Sequence, residues 1–115
     1  MAYLEGEGGR DVEAVDRALA DRLLVLAPIS VVELLGGPTL TPAAEAFVLA
    51  IPRLEITSGY WERAGKMRQK LLRLGHRPKI ADSLIAQSCL DHDIPLVTRD
   101  QDFQAFRKYA GLKLL

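Results

Sequence analysis

The sequence predicts an α/β protein in which helices cover both faces of a central parallel sheet. Three short apolar segments, at residues 23–27, 54–57 and 94–98, have the length and composition of buried strands. Segments with helical spacing separate them, and strands that alternate with helices favour a parallel sheet. The length of 115 residues suits one domain, residues 1–115, with a core of its own.

The helices are predicted from apolar spacing and from residues that start or stop a helix. Residues 1–9 contain three glycines and predict a loop or a frayed end. Thr41 and Pro42 combine a capping hydroxyl with the proline favoured in a first turn, and Ser58 is a second candidate cap. The predicted helices are residues 11–21, 29–35, 42–50, 59–74, 78–89 and 102–109, and residues 112–115 form an apolar tip.

Composition excludes several functional classes. Fifteen acidic and fifteen basic residues balance, so any contact with nucleic acid must come from a local patch. One cysteine, Cys89, permits neither an internal disulfide nor a cysteine-based zinc site, and it is predicted to be a core residue. We see neither an apolar run of about 18 residues nor a signal peptide, so we expect no membrane contact and a cytoplasmic location.

Three acids near the C-terminal end are the strongest candidates for a site. Asp82 lies early in an apolar helix, where an unpaired carboxylate is seldom buried. Asp100 and Asp102 directly follow the strand at residues 94–98, in the kind of loop that binds ligands in parallel sheets. We therefore expect the three side chains to lie close together. Asp100 is equally suited to cap the next helix, and Asp102 to favour its N-terminus.

Glu33 is a fourth candidate, because it lies among apolar residues shortly after a strand. The alternative is an exposed glutamate on an amphipathic helix. Converging carboxylates repel each other, and a divalent cation removes that repulsion; oxygen ligands favour Mg²⁺ or Mn²⁺. Neither His76 nor His92 has a partner at zinc-ligand spacing, and we find no Ser/His/Asp motif, glycine-rich phosphate loop or dinucleotide fingerprint.

The stretch from residue 63 to residue 79 contains eight residues that are Arg, Lys or His and no acid. Such runs are often solvated helix faces. This one leads directly into the acid-bearing helix, and basic contacts to phosphate position a nucleic-acid strand. Arg77, Lys79 and, from the later loop, Arg99 are the candidates for contact with such phosphates, which would be those of RNA if the family resemblance described next holds.

Two sequence blocks, IADSLIAQ and PLVTRDQDF, together with VVELL upstream and GLKLL at the end, resemble the PIN domains of VapC toxins over nearly the whole chain. The resemblance implies a three-layer α/β/α fold with Mg²⁺ or Mn²⁺ bound by acids. It also implies endoribonuclease activity and neutralisation by a VapB antitoxin. It assigns catalysis and metal binding to Glu33, Asp82 and Asp100, with Asp102 as an additional metal ligand.

The resemblance has one departure. Family members begin with an apolar strand that ends in Asp, whereas residues 2–7 here resemble the segment that follows that strand. A missing central strand would expose two strand edges, so we expect association into a homodimer or higher oligomer. Two other hypotheses stay open: a PIN remnant that binds antitoxin or RNA without cleaving it, and an unrelated α/β protein whose acids are caps and surface residues.

Overall fold

The computed structural model describes residues 2–4 and 24–115, and its strands form a parallel sheet. The strands are β1 (Ala2–Leu4), β2 (Leu24–Val25) and β3 (Leu96–Val97), in the order β2–β1–β3. In β1, Tyr3 lies opposite Val25 on one side and opposite Leu96 on the other. The predicted parallel sheet is therefore confirmed for these residues, although β2 and β3 are shorter than the apolar runs that predicted them.

Strand β1 corrects the prediction for the start of the chain. A loop was expected over residues 1–9, but Ala2–Leu4 pairs with a strand on each side and lies at the centre of the described sheet. The expected exposure of two strand edges is wrong for the same reason. An apolar segment satisfies its backbone groups by pairing between two parallel strands whose facing edges would otherwise lack partners.

Five α-helices lie in the described part of the chain. Thr41 caps the second of them as predicted, since its side chain accepts a hydrogen bond from the Ala44 N–H at 3.1 Å. The predicted helix at residues 11–21 lies outside the described residues. The helices are α1 (Pro28–Leu35), α2 (Pro42–Ala50), α3 (Tyr60–Arg73), α4 (Ile80–Asp91) and α5 (Gln104–Ala110), and a short 3₁₀ helix, Gln101–Phe103, precedes α5.

Three local predictions differ from the structure. Residues 54–57 do not form a strand: only a single bridge joins Leu26 to Arg53, and residues 55–57 are exposed. Ser58 does not cap α3, because Gly59 occupies that position with a φ of 82°. Pro78 precedes α4 rather than opening it, since Lys79 is the N-cap residue and the helix begins at Ile80. The two helix starts differ from the predicted ones by two residues or fewer, which is the ordinary uncertainty of a helix end.

The core lies between the sheet and the helices. Helices α3 and α4 pack against each other, and the Tyr60 hydroxyl donates a hydrogen bond to the Leu84 carbonyl at 2.7 Å. Cys89 is fully buried, and this burial raises the pKa of its thiol to about 12, in agreement with a packing role. None of the helices in the described residues has the length and apolar character required to span a membrane.

Candidate metal centre

Asp82 lies in the first turn of α4, with its side chain half-buried. The helix begins after Lys79, whose carbonyl accepts hydrogen bonds from both the backbone N–H and the hydroxyl of Ser83, each at 3.0 Å. These bonds fix the first turn. A carboxylate there is favoured by the unpaired N–H groups of the helix end.

Asp100 and Asp102 lie on the loop that leaves β3. The Asp100 backbone N–H donates to Thr98 Oγ1 at 3.0 Å, and Asp100 Oδ1 accepts from the Asp102 backbone N–H at 2.9 Å. Asp100 therefore caps the 3₁₀ helix, which confirms the structural role predicted for it. These two hydrogen bonds hold the loop in a fixed shape at the carboxyl end of the parallel sheet, where ligand sites form.

The fold brings these three acids together. One ligand oxygen each from Asp82, Asp100 and Asp102 lie within 4.8 Å of one another. The pKa of Asp82 is raised to about 6, first by burial and then by the charge of Asp100. Lys79 acts in the opposite direction, and Asp102 and Glu33 make smaller contributions that raise it. Carboxylates this close repel each other unless a proton or a cation is present.

Glu33 lies near the three acids but is not one of their group. It lies on α1, which packs against α4, but its side chain is exposed and does not belong to the group of three acids. Its charge still contributes to the raised pKa of Asp82. Glu33 therefore lies near enough to act on the charge of Asp82, but it is not among the acids whose ligand oxygens all lie within 4.8 Å of one another.

A cavity of about 360 Å³, which we call the site cavity, opens beside the acids. Its lining includes Asp82 and Asp102 together with two of the predicted RNA contacts, Arg77 and Lys79. The third predicted contact, Arg99, is exposed and lies outside the lining. The cavity therefore combines acids that suit a cation with basic groups that suit a phosphate.

Sequence reasoning missed three polar residues that also line this cavity: His76, Gln101 and Gln104. Gln101 lies between Asp100 and Asp102 in the 3₁₀ helix, and Gln104 lies at the start of α5. Their spacing of three residues along a helical segment placed them on one face, and that spacing was the available signal. His76 follows α3 at the helix end, where the sequence placed it, but its position against the cavity depends on how α3 packs.

Comparison with known families decides the relationship. The PIN domain family model matches residues 1–109. The chain belongs to the PIN domain family. PIN domains are generally metal-dependent nucleases. A comparison with curated protein sequences gave no match.

Solved structures support the PIN fold over the whole chain. The chain is similar to VapBC2 from Rickettsia felis bound to a promoter DNA fragment (TM-score 0.77, 17% identity, 100% of this chain and 98% of that one). It is also similar to FitAcB from Neisseria gonorrhoeae (0.70, 19%, 100% and 96%). A third similar structure is VapBC-5, a toxin–antitoxin system of the VapBC family from Mycobacterium tuberculosis (0.71, 22%, 99% and 97%).

The acids present fit the cation that PIN domains generally use. Three carboxylates whose ligand oxygens lie within 4.8 Å of one another provide hard oxygen donors. Such donors suit Mg²⁺ or Mn²⁺ better than softer metals. Burial is the main cause of the raised pKa of Asp82, and the neighbouring negative charges add to it; those charges also favour a bound cation.

Proposed function

We propose that this PIN domain is an Mg²⁺- or Mn²⁺-dependent endoribonuclease, the toxin of a VapBC-like system. The observation that carries the proposal is the convergence of Asp82, Asp100 and Asp102 beside a cavity with basic residues. The VapBC structures to which the chain is similar agree with it. The three-layer arrangement of helices around the sheet and a cytoplasmic location belong to the same proposal.

In this mechanism Asp82, Asp100 and Asp102 would hold the cation, and Glu33 would complete the acidic centre. A bound cation supplies Lewis-acid polarisation of the phosphodiester and makes water a better nucleophile at neutral pH. Arg77 and Lys79 line the same cavity and contact the phosphate oxygens, so that the scissile bond faces the acids.

The protein groups need little rearrangement to act. Two hydrogen bonds hold the Asp100 loop: the Asp100 N–H donates to Thr98 Oγ1, and the Asp102 N–H donates to Asp100 Oδ1. Asp82 is fixed in the first turn of α4. Arg99, an exposed residue directly before Asp100, is proposed as an outer contact to RNA. Preorganised charges lower the barrier because they are already oriented toward the charge that develops in the reaction.

The direct test is cleavage of single-stranded RNA by the purified protein with Mg²⁺ or Mn²⁺. We expect cleavage that EDTA stops and that Asp82→Asn or Asp100→Asn lowers by about 100-fold or more, as for other groups central to a reaction. Glu45→Gln is a matched control, because Glu45 is an exposed acid on α2 outside the acidic group. Equal cleavage by wild type and Asp82→Asn would remove the assignment of the site.

We also propose a cognate antitoxin of the VapB type and a homodimer or higher oligomer as the assembled state. The three solved structures described above include toxin–antitoxin complexes, which supports the first partner. Co-expression with the product of a neighbouring small gene, followed by light scattering of the purified complex, tests both. A free monomer that co-purifies with nothing contradicts this part of the proposal.

A further inference from the structure

A second cavity lies next to the site cavity, on the far side of one loop. The two cavities share residues 76–79, which we call the shared loop, and the second has a volume of about 560 Å³. Beyond the shared loop, its lining comes from α3 and from the end of that helix, with Arg68, Leu72 and Gly75. We call it the basic cavity.

The charge of the lining changes across the shared loop. The site cavity contains two acids, Asp82 and Asp102, whereas the basic cavity contains none. The basic cavity has three cationic side chains: Arg68 from α3, and Arg77 and Lys79 from the shared loop. A cation-lined depression next to an acidic centre suits the phosphates that flank a scissile bond rather than the bond itself.

The cationic side chains of the basic cavity have hydrogen-bond donors without a partner in the described residues. Arg68 is half-buried, and its Nε donates to the Pro78 carbonyl at 3.2 Å, which ties α3 to the shared loop. Within residues 24–115 the Arg68 guanidinium makes no other hydrogen bond, so its terminal NH₂ groups have no partner there and can donate to a ligand. Within the same residues, Arg77 and Lys79 form neither an ion pair nor a side-chain hydrogen bond.

We propose that the basic cavity binds phosphates of the same single-stranded RNA, adjacent to the phosphate held at the acids. This inference rests on the proposed nuclease function and adds Arg68 to the substrate path. The RNA passes over the shared loop, with Arg77 and Lys79 in contact on both sides of it. Arg68 holds the loop through Nε and binds phosphate through its terminal nitrogens, as a planar guanidinium can.

The test measures RNA binding in EDTA, where no cleavage occurs, as a function of KCl concentration. The probe is a fluorescent single-stranded oligoribonucleotide of mixed sequence about 20 nucleotides long, long enough to span both cavities. The slope of log K against log salt is negative, and loss of one phosphate contact makes it less steep by about 0.7 for a single strand. We expect that decrease in Arg68→Gln and in Arg77→Gln.

Arg73→Gln is the matched control, because Arg73 is an exposed arginine on the same helix that lines neither cavity. We expect it to keep the wild-type slope. Each variant is first checked for a wild-type far-UV spectrum and for the wild-type rise in Tm with Mn²⁺. These checks separate loss of a phosphate contact from disturbance of the fold or of the acids.

Cleavage distinguishes failure of this inference from failure of the proposed function. We expect Arg68→Gln to lower kcat/KM for the long oligoribonucleotide while leaving that for a dinucleotide unchanged. If wild type cleaves RNA and Arg68→Gln matches Arg73→Gln in both slope and kcat/KM, the basic cavity is not on the substrate path. If wild type neither binds nor cleaves RNA, the proposed function fails and this inference fails with it.

Discussion

At the scale of single residues, Asp82 has the clearest physical signature. Its half-buried carboxylate has a pKa of about 6, raised first by burial and then by Asp100. The ordinary value is 3.8, so the folded state favours the protonated form more strongly than the unfolded chain does. Because the folded pKa lies above the unfolded one, the penalty for ionisation is absent below pH 4 and develops as pH rises toward 6.

We therefore predict that, in EDTA, Asp82→Asn has a higher Tm than wild type at pH 7 and that this difference disappears at pH 4. The asparagine removes a half-buried carboxylate that must ionise beside other acids, so it relieves the cost of burial and of repulsion only where the wild type is charged. Thermal unfolding followed by circular dichroism across this pH range measures the difference.

Asp93→Asn is a control of opposite sign. The hydrogen bond and charge of Lys113 hold the pKa of Asp93 below its usual range. Removal of the Asp93 carboxylate therefore relieves no cost of ionisation and should not stabilise the protein at neutral pH. An Asp82→Asn difference that is the same at pH 4 as at pH 7 would show that repulsion in the acidic cluster is not its cause.

The sequence identified three converging acids, whereas the roles of Glu33 and Arg99 stay predictions. Asp82, Asp100 and Asp102 follow from two local patterns, a helix start and a loop after a strand, that meet at one sheet edge. The place of Glu33 depends on how α1 packs against α4, which spacing along the chain does not encode. The capping role of Asp100 was predictable because the Asp102 N–H that donates to its side chain lies only two residues away in the sequence.

At the scale of elements, a buried carboxylate joins α3 to the C-terminal end of α4. Asp91 accepts hydrogen bonds from Arg63 Nε at 3.0 Å and from Arg63 Nη2 at 2.7 Å, and further bonds from Gln87 and Thr57. Its side chain is 8% exposed. Arg63 belongs to the basic run that the sequence associated with RNA, but the structure uses it to hold two helices together.

We predict that Asp91→Asn lowers the free energy of unfolding by about 1–3 kcal/mol, the scale for a hydrogen-bonded group whose partner is lost. Burial of Asp91 opposes its ionisation, but the hydrogen bonds from Arg63, Gln87 and Thr57 outweigh burial and lower its pKa. Its contribution is therefore present above the unfolded pKa and is lost as pH falls through the lower folded pKa. Urea unfolding at pH 7 and at acidic pH measures both effects.

Asp93→Asn again provides the comparison, because Asp93 pairs with Lys113 on the surface and both side chains are largely exposed. Such pairs contribute little. Cleavage of RNA should survive in Asp91→Asn at temperatures where the variant is folded, since Asp91 lies outside the acidic group. Wild-type stability of Asp91→Asn at pH 7 would contradict the role assigned to this contact.

At the scale of the whole molecule, the alternation of strands and helices predicted the α/β class, but it did not predict the centre of the sheet. Strand β1 has three residues and pairs on both sides, and its glycine-rich continuation in the sequence favoured a loop. Non-local pairing decided its structure. The sequence also could not show that residues 76–79 line two cavities, since one cavity is lined from α3 and the other from α4, the 3₁₀ helix and α5, and their packing is not encoded locally.

Because the candidate ligands come from α4 and from the loop after β3, cation binding joins segments that are separate in the unfolded chain. We predict that Mn²⁺ raises the Tm of wild type in a concentration-dependent way. The free energy of unfolding should rise by about 2.7 kcal/mol at a Mn²⁺ concentration 100 times Kd, if the unfolded chain does not bind the cation. EDTA should reverse the rise, and Asp82→Asn and Asp100→Asn should abolish it. Glu45→Gln, which leaves the acidic group intact, should keep it. An equal rise in Asp82→Asn and Asp100→Asn would place the cation elsewhere on the protein and leave the three acids without the role proposed for them.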